Sequence, residues 1–276
     1  MKLATIRDGG GTLAVRIEGD EAVELDATDV GAVLRRERWQ SWAAAAGGAR
    51  RPTDGLDYAP LVVRPDKVVC VGLNYRNHIL EMGRELPDHP TLFAKYTSAL
   101  IGATDDIVLP AVSEKVDWEA ELAVVIGARA RHVSGDDALG AIAGYSVLND
   151  VSVRDYQNRT LQWLQGKTFE HSSPVGPWLV TRDESPGPER EITCEVDGEL
   201  MQKANTGDLV FDPVALVSYI SAITTLEPGD IIATGTPGGV GAARDPQRFL
   251  RSGETVVTRI AGIGELRNVC RKERIV

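Results

Sequence analysis

The stretch Asp117-Trp118-Glu119-Ala120-Glu121-Leu122-Ala123-Val124-Val125-Ile126-Gly127 puts three carboxylates at the head of an unbroken apolar run. Side chains alternate faces along a strand, so Glu119 and Glu121 point the same way. Two carboxylates side by side repel each other unless a cation sits between them. An edge strand would relieve the repulsion by exposing both to water. The Leu-Ala-Val-Val-Ile that follows has instead the continuous apolar character of a buried strand, where unpartnered carboxylates are costly. Further along, Tyr145-Ser146-Val147-Leu148-Asn149 is a second short strand-like run, ending in another carboxylate, Asp150. Two readings stand: a solvated strand edge, or a buried centre where Glu119, Glu121 and Asp150 meet around a hard divalent cation, with Asp117 a neighbour.

Composition narrows the setting. The 276 residues suffice for one large domain or a large one with a small appendage. A formal charge of −10, with no basic stripe interleaved with aromatics, argues against nucleic acid as a partner. No run has the length of a membrane span, and the N-terminal residues lack the apolar core of a signal peptide. The three cysteines, Cys70, Cys194 and Cys270, are far apart and form no C-x-x-C pair. Zinc and disulfide frameworks are therefore not expected, and reduced thiols in a cytoplasmic protein are.

Taken in order, residues 1–25 read as a β-meander with turns at Asp8-Gly9-Gly10-Gly11 and Gly19-Asp20. A helix capped by Asp26 or Thr28 is expected to run through Leu34 and Trp42 and to stop at Gly47-Gly48. Prolines at 52, 60 and 65 mark a connector, so residues 1–60 read as a small N-terminal domain and 65–276 as the larger one. Lys67–Gly72 is a buried strand. It leads to Asn74, a candidate helix cap that would put His78 and Glu81 at i and i+3 on one face. Such a carboxylate can hold an imidazole in the tautomer a general base needs; an incidental surface pair fits the spacing equally. Ser134-Gly135-Asp136-Asp137 reads as a capping box. After Asp150, Arg154 and Gln157 share a face if helical, and Lys167 follows a glycine. Each fits either ordinary solvation or a grip on a carboxylate. The later residues are β-rich, with a hairpin at Asp197-Gly198 and a helix from Asp212-Pro213. Gly235-Thr236-Pro237-Gly238-Gly239-Val240-Gly241 matches neither the Walker nor the Rossmann spacing, so no nucleotide site is expected there.

Together these segments resemble the fumarylacetoacetate hydrolase superfamily, in family order. The matching pieces are Gly72-Leu73-Asn74-Tyr75 with His78 and Glu81, Phe93-Ala94-Lys95, Asp117-Trp118-Glu119-Ala120-Glu121, Asn149 to Gln157, Gly166-Lys167-Thr168-Phe169, Gly176-Pro177-Trp178, the 234–241 stretch and Ile263-Gly264. The likeness covers about residues 65–276. It implies an α+β, mainly β fold: a mixed β-roll or distorted β-barrel catalytic domain with a small N-terminal α+β domain, paired as a homodimer. It further implies one divalent cation per subunit, Mg²⁺ or else Mn²⁺ or Ca²⁺, on Glu119, Glu121 and Asp150. His78 and Glu81 match the family's water-activating dyad, with Lys167 as a further catalytic residue. Arg154, Gln157, Thr236 and Tyr75 match substrate-binding positions. The activity implied is hydrolysis of a C–C bond in a 2,4-dioxo acid such as an acylpyruvate, through a metal-bound enolate. Isomerase or decarboxylase action on 2-hydroxy-diene or 2-oxo dicarboxylates of aromatic catabolism is the alternative, and a metal-binding protein without turnover a remoter one.

Overall fold

The computed structural model describes residues 1–81, 83, 85–185 and 189–274. Among these, two open mixed sheets dominate, as expected of an α+β, mainly β chain. In the eleven-stranded sheet the neighbours run Arg50–Pro52, Glu21–Glu24, Gly11–Glu18, Lys2–Asp8, Ser173–Thr181, Ile142–Asn149, Ala120–Ile126, Ile231–Ala233, Val68–Gly72 and Thr91–Ala94. Leu100–Ile101 pairs beside Ser173–Thr181. The five-stranded sheet runs Glu199–Asn205, Glu191–Val196, Thr255–Ile260, Gly264–Lys272 and Ile107–Leu109.

The Ala120–Ile126 strand explains why the apolar run is continuous. All seven residues are buried, because both faces are covered. Ala120 and Leu122 pack towards the second sheet with Ile192, Val256 and Leu266. Ala123 and Val125 join Val68, Val175 and Ile231 on the other side, and Val124 and Ile126 meet Leu216, Val217 and Ile220 of the Pro213–Ile223 helix. Each buried Leu, Val or Ile side chain contributes roughly 1.5–3 kcal/mol by leaving water, which fixes the strand firmly enough to hold charged residues at its start.

Residues 1–60 extend the larger sheet. Leu3 lies opposite Leu179, and Leu3, Ala14 and Leu25 share one core with Ala123 and Val175. We propose the division into residues 1–60 and 65–276 as a boundary of sequence character within this continuous sheet.

Three local expectations differ from the structure. The single helix expected through Leu34 and Trp42 is two, Val30–Leu34 and Trp39–Ala45, with Arg38 left-handed at φ 54° between them. Its cap is Asp29, whose carboxylate accepts from Ala32 N at 2.7 Å and Val63 N at 2.9 Å. Asn74 caps nothing, because its amide serves distant backbone. Its Nδ2 donates to Thr234 O at 2.8 Å and Phe211 O at 3.0 Å, and its Oδ1 accepts from Phe211 N at 2.8 Å. Within the Arg76–Glu81 helix, the Asn77 amide donates to Asp208 Oδ2 at 3.0 Å. Ser134 precedes the Gly135–Ala141 helix without a side-chain cap bond.

Candidate metal centre

Strand pairing builds the centre. Ala120 lies opposite Asn149 in the antiparallel register. One step beyond, the Asp150 amide donates to Glu119 O at 2.8 Å. Asn149 secures the corner, its Oδ1 accepting from Glu119 N at 2.9 Å and its Nδ2 donating to Thr258 Oγ1 at 2.9 Å. Glu119, Glu121 and Asp150 each then offer a carboxylate oxygen, all within 4.8 Å of one another. Their exposures are 6%, 1% and 0%, which removes the solvated-edge reading.

Buried cations surround them. Lys167 Nζ stands 2.5 Å from Glu119 Oε2 and 2.9 Å from Asp150 Oδ2. Arg154 reaches Glu119 Oε1 with Nη1 at 2.7 Å and Asp117 Oδ2 with Nε at 2.7 Å. Lys95 Nζ forms an ion pair with Asp150 Oδ1 at 2.9 Å and donates to Lys167 O. Burial would discharge Lys167, but Asp150 and Glu119 outweigh it and hold the ammonium above its ordinary range. Burial also works against the charge on Asp150, whose carboxyl Lys167 and Lys95 nonetheless hold below the usual range. Glu121 differs. Its Oε2 accepts from Gly235 N at 2.8 Å, and among the described residues no cationic side chain pairs with it. Burial, reinforced by Asp150 and Glu119, pushes its carboxyl well above the usual range.

Charge balance gives a test of fit. Four buried carboxylates (Asp117, Glu119, Glu121, Asp150) face three buried cations (Lys95, Arg154, Lys167), leaving one negative charge unmatched. An all-oxygen donor set with a surplus negative charge suits a hard divalent cation. The residues fit such an ion.

A cleft of about 420 Å³ opens on Glu119 and Glu121, with Asp150 buried behind them, and is lined also by His78, Arg154, Lys167 and Thr236. Gln157 lines it too, its Oε1 accepting from Arg154 Nη1 at 2.9 Å. The helical spacing of Arg154 and Gln157 is thus used inside the site. Arg154 Nη2 is buried with no hydrogen-bond partner among the described residues. Tyr75 is not part of the lining. It is 1% exposed in the core, and its hydroxyl has no partner among the described residues. Glu81 closes the Arg76–Glu81 helix, but its side chain lies outside the described residues, and the expected pairing with His78 with it.

Sequence reading missed the roles of Lys95 and Asp117. Lys95 belongs to Phe93-Ala94-Lys95, a stretch whose sequence suggests no charge partner. Asp117, 0% exposed, turns away from the triad and organises a loop. Its Oδ1 accepts from Gly241 N at 2.7 Å, and its Oδ2 from Ala242 N at 2.9 Å and from Arg154.

Among families of known proteins, the C-terminal domain of fumarylacetoacetate (FAA) hydrolase matches residues 67–271. The chain belongs to this family. The mitochondrial oxaloacetate tautomerase FAHD2B of Bos taurus is 46% identical over 220 residues, covering 79% of this chain and 70% of that protein. The crystal structure of 5-carboxymethyl-2-hydroxymuconate delta-isomerase from Mycobacterium smegmatis superposes with a TM-score of 0.83 at 34% identity, over 100% of both chains. The fumarylacetoacetate hydrolase of Exiguobacterium antarcticum gives 0.87 at 31% identity, over 99% of this chain and 100% of that one. The protein is thus an enzyme of the fumarylacetoacetate hydrolase family with a buried acidic triad at its cleft. No helix among the described residues is long and apolar enough to cross a membrane.

Proposed function

We propose that the protein acts on a 2-oxo acid, moving a proton between the keto form and its enol, with Mg²⁺ or Mn²⁺ held by Glu119, Glu121 and Asp150. The observation that carries this is the triad itself: three buried carboxylates within 4.8 Å, with one negative charge unmatched, two of which, Glu119 and Glu121, line a cleft. When bound, the cation supplies Lewis-acid polarisation of the substrate's keto and carboxylate oxygens.

The chain's own residues supply the rest. Lys167 stays charged and stabilises the oxyanion that develops as the proton leaves carbon. Arg154, anchored by Asp117, Glu119 and Gln157, keeps Nη2 as a donor for a substrate carboxylate. Thr236 adds a hydroxyl to the lining. His78 brings the one imidazole among the residues lining the cleft, the side-chain type most used for general acid–base work, so it takes and returns the proton. The likeness to an oxaloacetate tautomerase supports oxaloacetate as the first substrate to try.

Hydrolytic C–C cleavage of a 2,4-dioxo acid is the second reading, favoured by His78 in the cleft, where an imidazole activates water. The two separate cleanly by product. Loss of enol absorbance without pyruvate release marks tautomerisation, and pyruvate seen by coupled lactate dehydrogenase marks cleavage. Chelator should abolish conversion and Mg²⁺ or Mn²⁺ restore it; turnover that ignores chelator would refute both readings. A homodimer in the cytoplasm completes the proposal, checked by light scattering and by fractionation.

A further inference from the structure

We infer that Gln202 is a positioning residue that fixes the Thr236 hydroxyl as a hydrogen-bond donor towards the cleft, so that the site selects an anionic oxygen on its ligand there. The inference rests on the reading of the cleft as a 2-oxo acid site.

Gln202 comes from the smaller sheet, on the Glu199–Asn205 strand, and is 1% exposed. Its side chain bridges two parts of the site. Oε1 accepts from Ala120 N at 2.9 Å, between Glu119 and Glu121. Nε2 donates to Thr236 Oγ1 at 2.8 Å and to Pro237 O at 2.9 Å. The backbone partners dictate which end of the amide is which. A flipped amide would set its NH₂ against the Ala120 N–H and its oxygen against the Pro237 carbonyl, two repulsive contacts in a buried place. Nε2 is therefore the end at Thr236.

The consequence lies in the hydroxyl. It has one proton to donate and two lone pairs to accept with. With a lone pair engaged by Gln202, the Thr236 proton is left for the cleft that this residue lines. A hydroxyl held this way favours a carboxylate or enolate oxygen over a donor group. Its loop is fixed independently: Trp118 Nε1 and Arg244 Nε donate to Gly239 O at 3.2 and 3.4 Å, and a Cβ on Gly239 would meet Met201 O at 2.2 Å. Gln202 thus adds polarity and aim to a loop whose path other contacts determine.

The test uses Mn²⁺-loaded full-length protein and oxalate, a non-reacting dianion, with calorimetry as readout. Gln202→Met and Thr236→Val should each weaken oxalate roughly tenfold or more, as for losing a hydrogen bond to a charged group. The double variant should bind about as weakly as either single one, since one removes what the other positions. Mn²⁺ affinity should stay within a few-fold in all. Gln202→Glu, closest in shape, should show the same oxalate loss if Gln202→Met fails to fold. Additive losses, or a Gln202 variant binding oxalate as tightly as wild type, would overturn the assignment while leaving the 2-oxo acid reading intact. Wild-type protein that takes Mn²⁺ but ignores oxalate would overturn both.

Discussion

Removing one negative charge from the triad should stabilise the protein without cation and abolish its response to cation. Glu121→Gln is the cleanest variant, because the amide oxygen keeps the bond from Gly235 N while the new NH₂ faces acceptors. Two like charges at the 4.8 Å limit of the triad repel by about 3.5 kcal/mol at an effective dielectric near 20. Lys167, shared with Glu119 and Asp150, offsets part of this, leaving about 1–3 kcal/mol to be recovered. An unfolding entropy of about 2.1 cal/mol/K per residue over 276 residues gives roughly 0.58 kcal/mol/K, so the melting temperature in EDTA should rise by about 2–5 °C. Cation at a hundred times its dissociation constant should add about 2.7 kcal/mol, or roughly 5 °C, to wild type and nothing to the variant. Thermal melts in EDTA and in Mg²⁺ or Mn²⁺ read both effects. A variant less stable than wild type in EDTA, or one that gains the full increment from cation, would falsify the charge argument.

The same carboxyl sets a pH dependence. A raised folded-state value means the cation-free protein binds a proton that the unfolded chain has lost, so Glu121 costs stability as pH rises from the ordinary carboxylate range towards its raised value. Cation competes with that proton, so its increment in melting temperature should grow across this window; a flat or inverted profile refutes it. Asp117→Ala leaves Arg154 without one of its two buried carboxylates, for a loss of about 3–5 kcal/mol, or roughly 5–9 °C by melting. A loss under 2 °C would mean the Asp117 contacts are not the anchor described. His78→Ala should cut turnover about 10²–10⁴-fold with Mn²⁺ affinity unchanged by calorimetry. Near-normal turnover would remove His78 from the chemistry.

What the sequence revealed was what neighbouring residues encode. The Pro213–Ile223 helix with its Asp212 cap, the hairpin at Asp197-Gly198 and the buried Ala120–Ile126 strand all follow from local pattern, and the structure has each. What stayed hidden was long-range satisfaction of buried polar groups. Asn74 looked like a cap because its nearest backbone offered amides, but the structure gives it Phe211 and Thr234 instead. Lys95 acquires its meaning only through Asp150, and Gln202 through Thr236, partners that no periodicity links.

Asp117, Glu119 and Glu121 put the distinction most sharply. All three occupy odd positions, so simple alternation predicts one face and one fate. Glu119 and Glu121 do converge on Asp150, but Asp117 turns to Arg154 and the loop at Gly241. The reason is that Val116–Asp117 pairs with Ser152–Val153 in a separate two-stranded ladder, and the Ala120–Ile126 strand begins afresh three residues later. The break at Trp118-Glu119 resets the direction of the side chains, and the backbone bonds of Glu119 to Asn149 and Asp150 bring it into line with the second strand. A single acidic run thereby supplies two carboxylates to the triad and one that anchors the arginine beside them.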